Sequence, residues 1–166
     1  IGPGSTDIVG VKAGDTTLIP LVATPAAEMF PALSPDGRWL AYASTESGQS
    51  EVYVRPFPET ATAKWQVSTA GGTEPAWAST GRELLYINGK GEMASAQVTP
   101  GPTFSLGKQR PLFSTTQFSR PGPVPSFSLS PDDQRFLMVR EGDNSQQSEL
   151  IVAENWLQEL TGMPGK

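Results

Sequence analysis

Short segments in which apolar and polar side chains alternate run along most of the chain, and sequences typical of tight turns separate them. The clearest case begins at Phe30 and ends at Tyr42, where Pro35-Asp36-Gly37 divides two such segments. Asp bonds readily to nearby backbone and Gly adopts positive φ without steric cost, so this tripeptide predicts a turn. A period of two is typical of β-strands, and the stretch therefore predicts an antiparallel hairpin.

The same pattern recurs twice, with Gly81 at the second turn and Asp132-Asp133 at the third. The residues at the equivalent turn position, Gly37, Gly81 and Asp133, follow one another at intervals of 44 and 52 residues. A period of roughly 40 to 45 residues with four strands per unit is typical of propeller blades. The fold class predicted is therefore all-β, a propeller segment of about three blades built from four-stranded antiparallel meanders, with a short C-terminal helix.

The repeat also predicts the domain organisation. Residues 1–6 are interpreted as a disordered lead-in or tag remnant, and residues 7–166 as a single partial β-propeller. Its predicted parts are a hairpin of a partial blade at 7–21, blades at 30–68 and 72–114, an incomplete blade at 124–154, and a short helix at 155–161. In that helix Asn155 would be the N-cap and Gln158 would complete a capping box. The stretch Pro100–Pro125, rich in Pro, Gly and Ser, is predicted to be an extended inter-blade loop. Within it, Leu112-Phe113 is predicted to lie on the fourth strand of the second blade, after a connection at Pro100–Arg110.

Composition and charge narrow the functional classes. The chain has 17 Gly and 16 Pro among 166 residues, which suits many short strands joined by tight turns. Its net charge is −5 and its basic residues are scattered singly, so nucleic-acid binding is disfavoured. No apolar run approaches the roughly 20 residues needed to span a bilayer, and no direct membrane contact is predicted.

The sequence contains neither His nor Cys, which removes the commonest general base, the commonest metal ligand and any disulfide. Ser34 and Ser130 precede prolines in predicted turns; without His, a Ser-Lys pair would be needed to activate them, and the lysines are scattered along the sequence. The Asp132-Asp133 pair lacks the alternating acids of a calcium loop. We therefore predict no catalytic residue, no metal site and no cofactor, and assign six residues to structural turns: Pro35, Asp36, Gly37, Gly81, Asp132 and Asp133.

Three further groups of residues have a functional and a structural interpretation. Two carboxylates could serve glycoside hydrolysis, but in an acidic β-protein most such residues lie on solvated faces; the candidates are Glu46, Glu51, Glu74, Glu83 and Glu92. Gly89-Lys90-Gly91 resembles the start of a nucleotide-binding loop but lies between strands, and Asn88-Gly89 predicts a type I′ hairpin turn. Six aromatic residues would form a binding surface if they faced the channel mouth, but packing between blades is favoured: Trp39, Tyr42, Tyr53, Trp65, Trp77 and Tyr86.

Two segments, Ser34–Tyr42 and Ser130–Leu137, resemble the repeats of TolB-like (WD-repeat-like) β-propellers. The run Glu51–Pro58 resembles more closely the C-terminal blades of propellers that bacteria attach to membrane-bound serine/threonine protein kinases and related sensors. The same resemblance includes, in order, Trp65–Ser68, Gly72, Gly81–Leu84 and Asn155-Trp156. The chain departs from the family pattern at Thr80, where Asp is usual, and at Asp133, where Gly is usual. Both departures are expected to weaken individual turns without endangering the fold.

The resemblance implies a ring of about six to eight blades, more than this sequence contains. An open stack of blades leaves two apolar faces exposed, so either a longer protein or further copies would cover them. A dimer would close a ring if the partner's first hairpin supplied the strand missing from the third unit.

The function implied is a non-catalytic module for protein interaction or ligand sensing, with a protein partner or a second copy as its target. The alternatives are an accessory propeller of a prolyl-oligopeptidase-like hydrolase and a fragment of a receptor-type kinase sensor domain, which would be extracytoplasmic. Partners of propellers usually bind loops at one rim. The predicted contact loops are Glu46–Ser50, Pro58–Lys64, Pro100–Gln109 and Glu141–Gln147.

Overall fold

The structure is a computed structural model that describes residues 5–99, 101–120, 122, 124–141 and, as a strand, 149–154. In this part of the chain every regular element is a β-strand, and the strands form four antiparallel sheets. The predicted all-β class is confirmed. The helix predicted at 155–161 lies outside the described residues.

The strands fall into four groups along the chain. The first two, β1 (Ile8–Gly10) and β2 (Ile19–Val22), form the N-terminal hairpin. The first blade contains β3 (Glu28–Leu33), β4 (Trp39–Ser44), β5 (Glu51–Pro56) and β6 (Trp65–Gln66). The second blade contains β7 (Gly72–Trp77), β8 (Glu83–Asn88), β9 (Glu92–Thr99) and β10 (Ser105–Ser114). The third blade contains β11 (Phe127–Leu129), β12 (Arg135–Arg140) and β13 (Glu149–Glu154).

The core consists of three apolar clusters, each between two neighbouring sheets. The hairpin cluster joins the N-terminal hairpin to the first blade and contains Ile8, Val22, Leu40, Tyr42 and Tyr53. The central cluster lies between the first and second blades and includes Trp39, Ala41, Val52, Val54, Leu84, Tyr86 and Phe104. The distal cluster lies between the second and third blades and contains Leu85, Ile87, Met93, Phe127, Phe136 and Met138.

Strand β4 shows why the blades stack. Successive side chains of a strand point to opposite faces of its sheet. Trp39 and Ala41 belong to the central cluster, whereas Leu40 and Tyr42 belong to the hairpin cluster. All six residues of β4 are buried, so the strand is covered on both faces by neighbouring sheets.

The innermost strands of the first two blades share an irregularity that the sequence did not predict. The pairing register of β3 shifts at Phe30-Pro31, and that of β7 shifts at Glu74-Pro75. Phe30 and Glu74 have φ of 55° and 53°, a conformation that costs a non-Gly residue on the order of 1 kcal/mol. Because the strand continues through this bulge, β3 begins at Glu28 rather than at Phe30.

The connection predicted at Pro100–Arg110 is wrong from Ser105 onward, because Ser105–Ser114 is strand β10, whereas the strand predicted at Leu112-Phe113 is confirmed. This strand pairs with β9 at the outer edge of the second blade. An edge strand tolerates proline such as Pro111, and a register shift after Leu106 accommodates the following Gly107. The Gly and Pro content that suggested a loop is thus compatible with an irregular edge strand.

The type I′ turn predicted at Asn88-Gly89 is also wrong. The turn runs from Asn88 to Gly91, whose N–H donates to the Asn88 carbonyl at 2.9 Å, and the positive φ of 72° falls on Gly91. The Asn88 side-chain oxygen accepts two further backbone N–H groups of the loop. Gly89 is required for a different reason, since a Cβ atom there would lie 2.1 Å from the Ala70 carbonyl oxygen.

Candidate interaction surface

Four aromatic rings meet where the first and second blades face each other. The ring centroid of Phe104 lies 5.5 Å from that of Trp39, 5.3 Å from that of Trp65 and 6.4 Å from that of Trp77. Tilted and edge-to-face contacts of this kind add to the stabilisation from burial. The Trp77 indole N–H also donates to the Ala32 carbonyl of the first blade at 3.1 Å. The predicted packing of these tryptophans is confirmed, whereas Phe104 was missed because it lay in a predicted loop.

The tyrosines predicted to pack are buried as well. Tyr42 and Tyr53 stack with their ring centroids 5.8 Å apart, and the Arg55 guanidinium donates to the Tyr42 hydroxyl at 2.8 Å. Burial raises the pKa of Tyr42 to about 12, with the Arg55 hydrogen bond acting in the opposite direction. Burial also raises the pKa of Tyr86.

The first repeated turn is closed by its own polar groups. The Gly37 N–H donates to the Ser34 carbonyl at 2.8 Å, with Gly37 at φ 69°. The Asp36 carboxylate accepts from the Ser34 hydroxyl and from both the backbone N–H and the guanidinium of Arg38. The Ser34 hydroxyl, followed by Arg38, lowers the pKa of Asp36 to about 2. Asp36 and Ser34 thus serve the turn itself, and Pro35 is its second residue.

The second and third turns have the same backbone closure. The Gly81 N–H donates to the Ala78 carbonyl and the Asp133 N–H to the Ser130 carbonyl, both at 2.9 Å. Gly81 has φ 67° and Asp133 has φ 58°. The Asp132 carboxylate accepts from the Ser130 hydroxyl, which is the main reason that its pKa is lowered.

Asp133 makes a contact between blades that the sequence did not predict. The Ser79 N–H donates to both Asp133 carboxylate oxygens at 2.9 Å, and the Ser79 hydroxyl donates to one of them at 2.6 Å. Ser79 lies in the turn of the second blade and Asp133 in the turn of the third. The Asp that replaces the usual Gly therefore joins two neighbouring turns.

Glu74 makes the reciprocal contact from the second blade to the third. Its buried carboxylate accepts from the Ser126 N–H and hydroxyl, both at 2.6 Å, and from the Arg120 guanidinium at 3.1 Å. Both contacts pair a carboxylate on a positive-φ residue with the N–H and hydroxyl of one serine. Because charge-assisted hydrogen bonds are the stronger class, the two contacts fix the third blade against the second.

The other candidate carboxylates also have local partners. Buried Glu51 accepts from the Ser68 hydroxyl and the Gly71 N–H. The remaining three pair with neighbouring side chains: Glu46 with Lys64, Glu83 with Arg110, and Glu92 with Asn88. Over the described ranges no three Asp or Glu side chains are grouped so that they could hold a metal ion.

Two clefts separate the repeated turns along one rim. The first, about 300 Å³, brings together the predicted turn residues Pro35, Asp36 and Gly81. The second, about 280 Å³, contains Asp132 and Asp133 beside the second turn. The structure thus distributes the six predicted turn residues along the rim rather than gathering them into one site.

The predicted contact loops differ in how much surface they offer. Residues 46–49 are exposed, whereas Thr60 within Pro58–Lys64 is buried. The loop predicted at Pro100–Gln109 is wrong as a loop, since Phe104 is buried and residues from Ser105 onward belong to β10. Most of Glu141–Gln147 lies outside the described residues. These loops therefore do not form one continuous surface.

Equivalent positions differ strongly in exposure on the outer face of the third blade. Leu137 and Val139 on β12 occupy the positions that Leu85 and Ile87 occupy on β8. Leu85 and Ile87 are 1% and 0% exposed beneath the third blade, whereas Leu137 is 37% and Val139 51% exposed. No sheet among the described residues covers this face of β12.

The opposite end of the stack also exposes apolar side chains. Leu33 occupies the position of Trp77, which packs against the central cluster, yet Leu33 is 50% exposed. Four further apolar side chains are exposed on the N-terminal hairpin and the loop between its strands: Val9, Val11, Leu18 and Ile19. Both ends of the stack thus present apolar side chains that inner blades cover.

Comparison with known proteins agrees with this architecture. No family model matches the chain, and no curated protein sequence matches it. Among solved structures, the putative TolB from Agrobacterium tumefaciens is similar, with a TM-score of 0.62 and 14% identity, over 92% of this chain and 54% of that chain. The chain has a TolB-like β-propeller fold. TolB from Acinetobacter baumannii matches over 85% of this chain and 44% of that chain, with 11% identity and a TM-score of 0.42.

This chain therefore spans about half the length of the Agrobacterium TolB-like structure that it resembles. The TolB-like fold expected from the repeated turns is confirmed, while attachment to a protein kinase stays a prediction. In the described part of the chain no helix is long and apolar enough to cross a membrane.

Proposed function

We propose that this TolB-like chain is a non-catalytic protein-binding module that associates through the two open ends of its blade stack. The partner is a protein that supplies a further blade of the same fold, and a second copy of this chain meets that requirement. The observation that carries the proposal is the exposure of Leu137 and Val139 at positions where Leu85 and Ile87 are fully buried.

The energetic argument concerns these apolar side chains. Fully burying one Val or Leu side chain is worth about 1.5–3 kcal/mol relative to leaving it exposed. Leu137 and Val139 lie at one end of the stack, and Leu33 and Val9 lie at the other. Exposed apolar patches are typical of interaction sites. A blade placed on either end would bury them in the way that inner blades bury their equivalents.

Charged substitutions on the open face of β12 test the proposal. We expect Leu137→Glu with Val139→Glu to shift the chain to the monomer position in size-exclusion chromatography, because a buried unpaired carboxylate is strongly unfavourable. Val124→Glu is the matched control, since Val124 is also 51% exposed but lies outside the strands. The proposal would be contradicted if the unmodified chain already eluted as a monomer at high concentration and the double variant eluted at the same position.

A further inference from the structure

The N-terminal hairpin occupies the place of the third and fourth strands of a blade. Ile8 and Val22 belong to the hairpin cluster beside the first blade, as Val52 and Val67 belong to the central cluster beside the second. The members of each equivalent pair lie 44 or 45 residues apart in the sequence. Strand β1 is therefore equivalent to β5, and β2 is equivalent to β6 and the residue that follows it.

Hydrogen bonds at the entrance to the next blade support this equivalence. The Glu28 N–H donates to the Thr6 carbonyl at 2.8 Å, and the Thr6 hydroxyl donates to the Glu28 carbonyl at 2.9 Å. Gly72 and Ser50, each 44 residues later, make the same two hydrogen bonds at 2.9 Å. The first blade thus follows the hairpin as the second blade follows the first.

The blade to which the hairpin belongs has no inner strands among the described residues. In the first blade β5 pairs with β4 along one edge and with β6 along the other, whereas β1 pairs only with β2. The Trp77 indole donates to the Ala32 carbonyl on the innermost strand of the preceding blade, while Leu33, the equivalent of Trp77, is 50% exposed. An open strand edge, which is a template for a further strand, therefore lies beside an uncovered apolar side chain.

A buried carboxylate oxygen without a donor lies on the same strand. Asp7 occupies the position of Glu51 and Glu92 at the start of the third strand. The residue at the end of the adjoining second strand is Ser44 in the first blade and Asn88 in the second, and the Asn88 amide donates to Glu92 at 2.9 Å. Over the described ranges Asp7 Oδ1 is buried and has no hydrogen-bond partner. A buried acceptor without a donor is unfavourable, so a strand that brings a donor to Asp7 is favoured on this edge.

We infer that the open edge of β1 binds a β-hairpin of a partner protein, which completes the blade by supplying its two inner strands. The strand next to β1 has small apolar side chains toward the first blade and a hydrogen-bond donor beside Asp7. A second copy of this chain can cover an end face but has no free hairpin of this kind, because β4, β8 and β12 are each paired along both edges. This inference rests on the proposed function and specifies what a partner presents at the N-terminal end.

The hairpin formed by β3 and β4 shows which side chains fit. Its Ala41 belongs to the central cluster together with Leu84 and Tyr86 of the second blade. The first blade has the same two residue types, Leu40 and Tyr42, at the equivalent positions in the hairpin cluster. A hairpin that resembles residues 28–44 therefore matches this end of the stack.

A cysteine cross-link to a synthetic peptide with the sequence of residues 28–44 tests the pairing, because the chain has no native cysteine. In the first blade Tyr42 lies opposite Tyr53, which is the equivalent of Val9. Directly opposed residues in antiparallel strands have Cα atoms about 4.5–5.5 Å apart, within the span of a disulfide. We expect the Val9→Cys chain and the Tyr42→Cys peptide to form a disulfide-linked adduct under mild oxidation.

A peptide with Ala41→Cys is the matched control. Ala41 lies opposite Val54, the equivalent of Gly10, so its side chain and that of residue 9 would lie on opposite faces of the completed sheet. We expect at least about ten-fold less adduct with this peptide, because a shift of one residue moves the sulfur to the other face.

Proline at position 9 provides a measurement without cross-linking. The N–H and carbonyl of Val52 bond toward β6, so those of the next residue, Tyr53, and of its equivalent Val9 point to the opposite edge. We expect Val9→Pro to weaken binding of the fluorescently labelled peptide about ten-fold, because one hydrogen bond to the incoming strand is lost. Val9→Thr keeps the N–H and should bind the peptide as the unmodified chain does.

An adduct selective for the Tyr42→Cys peptide, with weaker binding only by the Val9→Pro variant, supports the inference. Equal adducts with both peptides, or no peptide binding by a chain that forms dimers, would overturn the inference and leave the proposed function intact. Peptide binding by a chain that stays monomeric supports the inference and contradicts association with a second copy. A monomeric chain that binds no peptide overturns both.

Discussion

At the scale of single residues, the most informative position is Asp133. A turn that closes through positive φ favours Gly, and Asp at this position was expected only to weaken the turn. Asp133 instead accepts three hydrogen bonds from Ser79 of the second blade. The backbone strain of one residue is thus offset by a contact with a residue 54 positions earlier in the sequence.

Substitution of Asp133 separates these two contributions. Asp133→Ala removes the hydrogen bonds and keeps the positive φ, so we expect it to lower the free energy of unfolding by about 1–2 kcal/mol. Asp133→Gly also removes the hydrogen bonds but relieves the strain, and the loss should be smaller by about 1 kcal/mol. Urea denaturation measures the free energy of unfolding of both variants and of the unmodified chain. A Gly variant more stable than the unmodified chain would show that the Ser79 contact contributes less than the strain costs.

The raised pKa of Tyr42 predicts how the stability of the folded chain changes at alkaline pH. Its pKa is raised from 10 to about 12 in the folded chain, so the folded state holds the phenolic proton more tightly than the unfolded state does. The resulting stabilisation is fully present below pH 10 and is lost as the pH rises through 12. By linkage the loss is on the order of 2–3 kcal/mol.

We therefore expect the unmodified chain to lose stability relative to the Tyr42→Phe variant as the pH rises from 10 to 12. Below pH 10 the Phe variant should be less stable by about 1 kcal/mol, because the hydrogen bond from Arg55 is lost. Chemical denaturation at a series of pH values measures the difference. A difference that stays constant across this range would contradict the assigned pKa.

At the scale of elements, the sequence predicted the strands that follow regular alternation and missed the irregular ones. Strand β4 could be predicted because successive side chains enter two different clusters, which gives a period of two, and because the turn before it has Pro, Asp and Gly. The bulges at Phe30 and Glu74 could not be predicted, because neither residue favours positive φ and no local sequence signal marks the conformation. Strand β10 was missed because its Gly and Pro residues are equally typical of loops.

The contact between the β8–β9 turn and the segment that enters the second blade depends on Gly89. An added Cβ would lie 2.1 Å from the Ala70 carbonyl oxygen and 3.1 Å from the Gly71 Cα, both backbone atoms. We expect Gly89→Ala to lower the melting temperature by several degrees, because a loss of about 1–3 kcal/mol has that effect in a domain of this size. Thermal unfolding followed by circular dichroism measures it.

Gly101→Ala is the control for this prediction, since the nearest atom to its added Cβ is 3.6 Å away and its φ is not positive. This variant should melt within about a degree of the unmodified chain. Equal melting temperatures for the two alanine variants would show that the Gly89 contact is not tight in solution.

At the scale of the whole molecule, the repeat predicted that a stack of this length leaves two faces open. It did not predict how the inner blades are joined, because the partners lie far apart in sequence. Glu74 contacts Ser126, 52 residues later, and nothing in either segment marks the pair. The surface proposed for binding could be anticipated from the number of blades, but its residues became clear only from the burial of their equivalents.

The molecular mass in solution tests most directly whether the open ends bind a further blade. We predict that sedimentation equilibrium of the unmodified chain, over a range of concentrations, gives a mass approaching twice the 17.7 kDa of one copy. Such a mass means that two copies cover each other's exposed end faces. A single species of 17.7 kDa that persists at the highest concentration would contradict the account, because the apolar ends would then be stable in water without a partner.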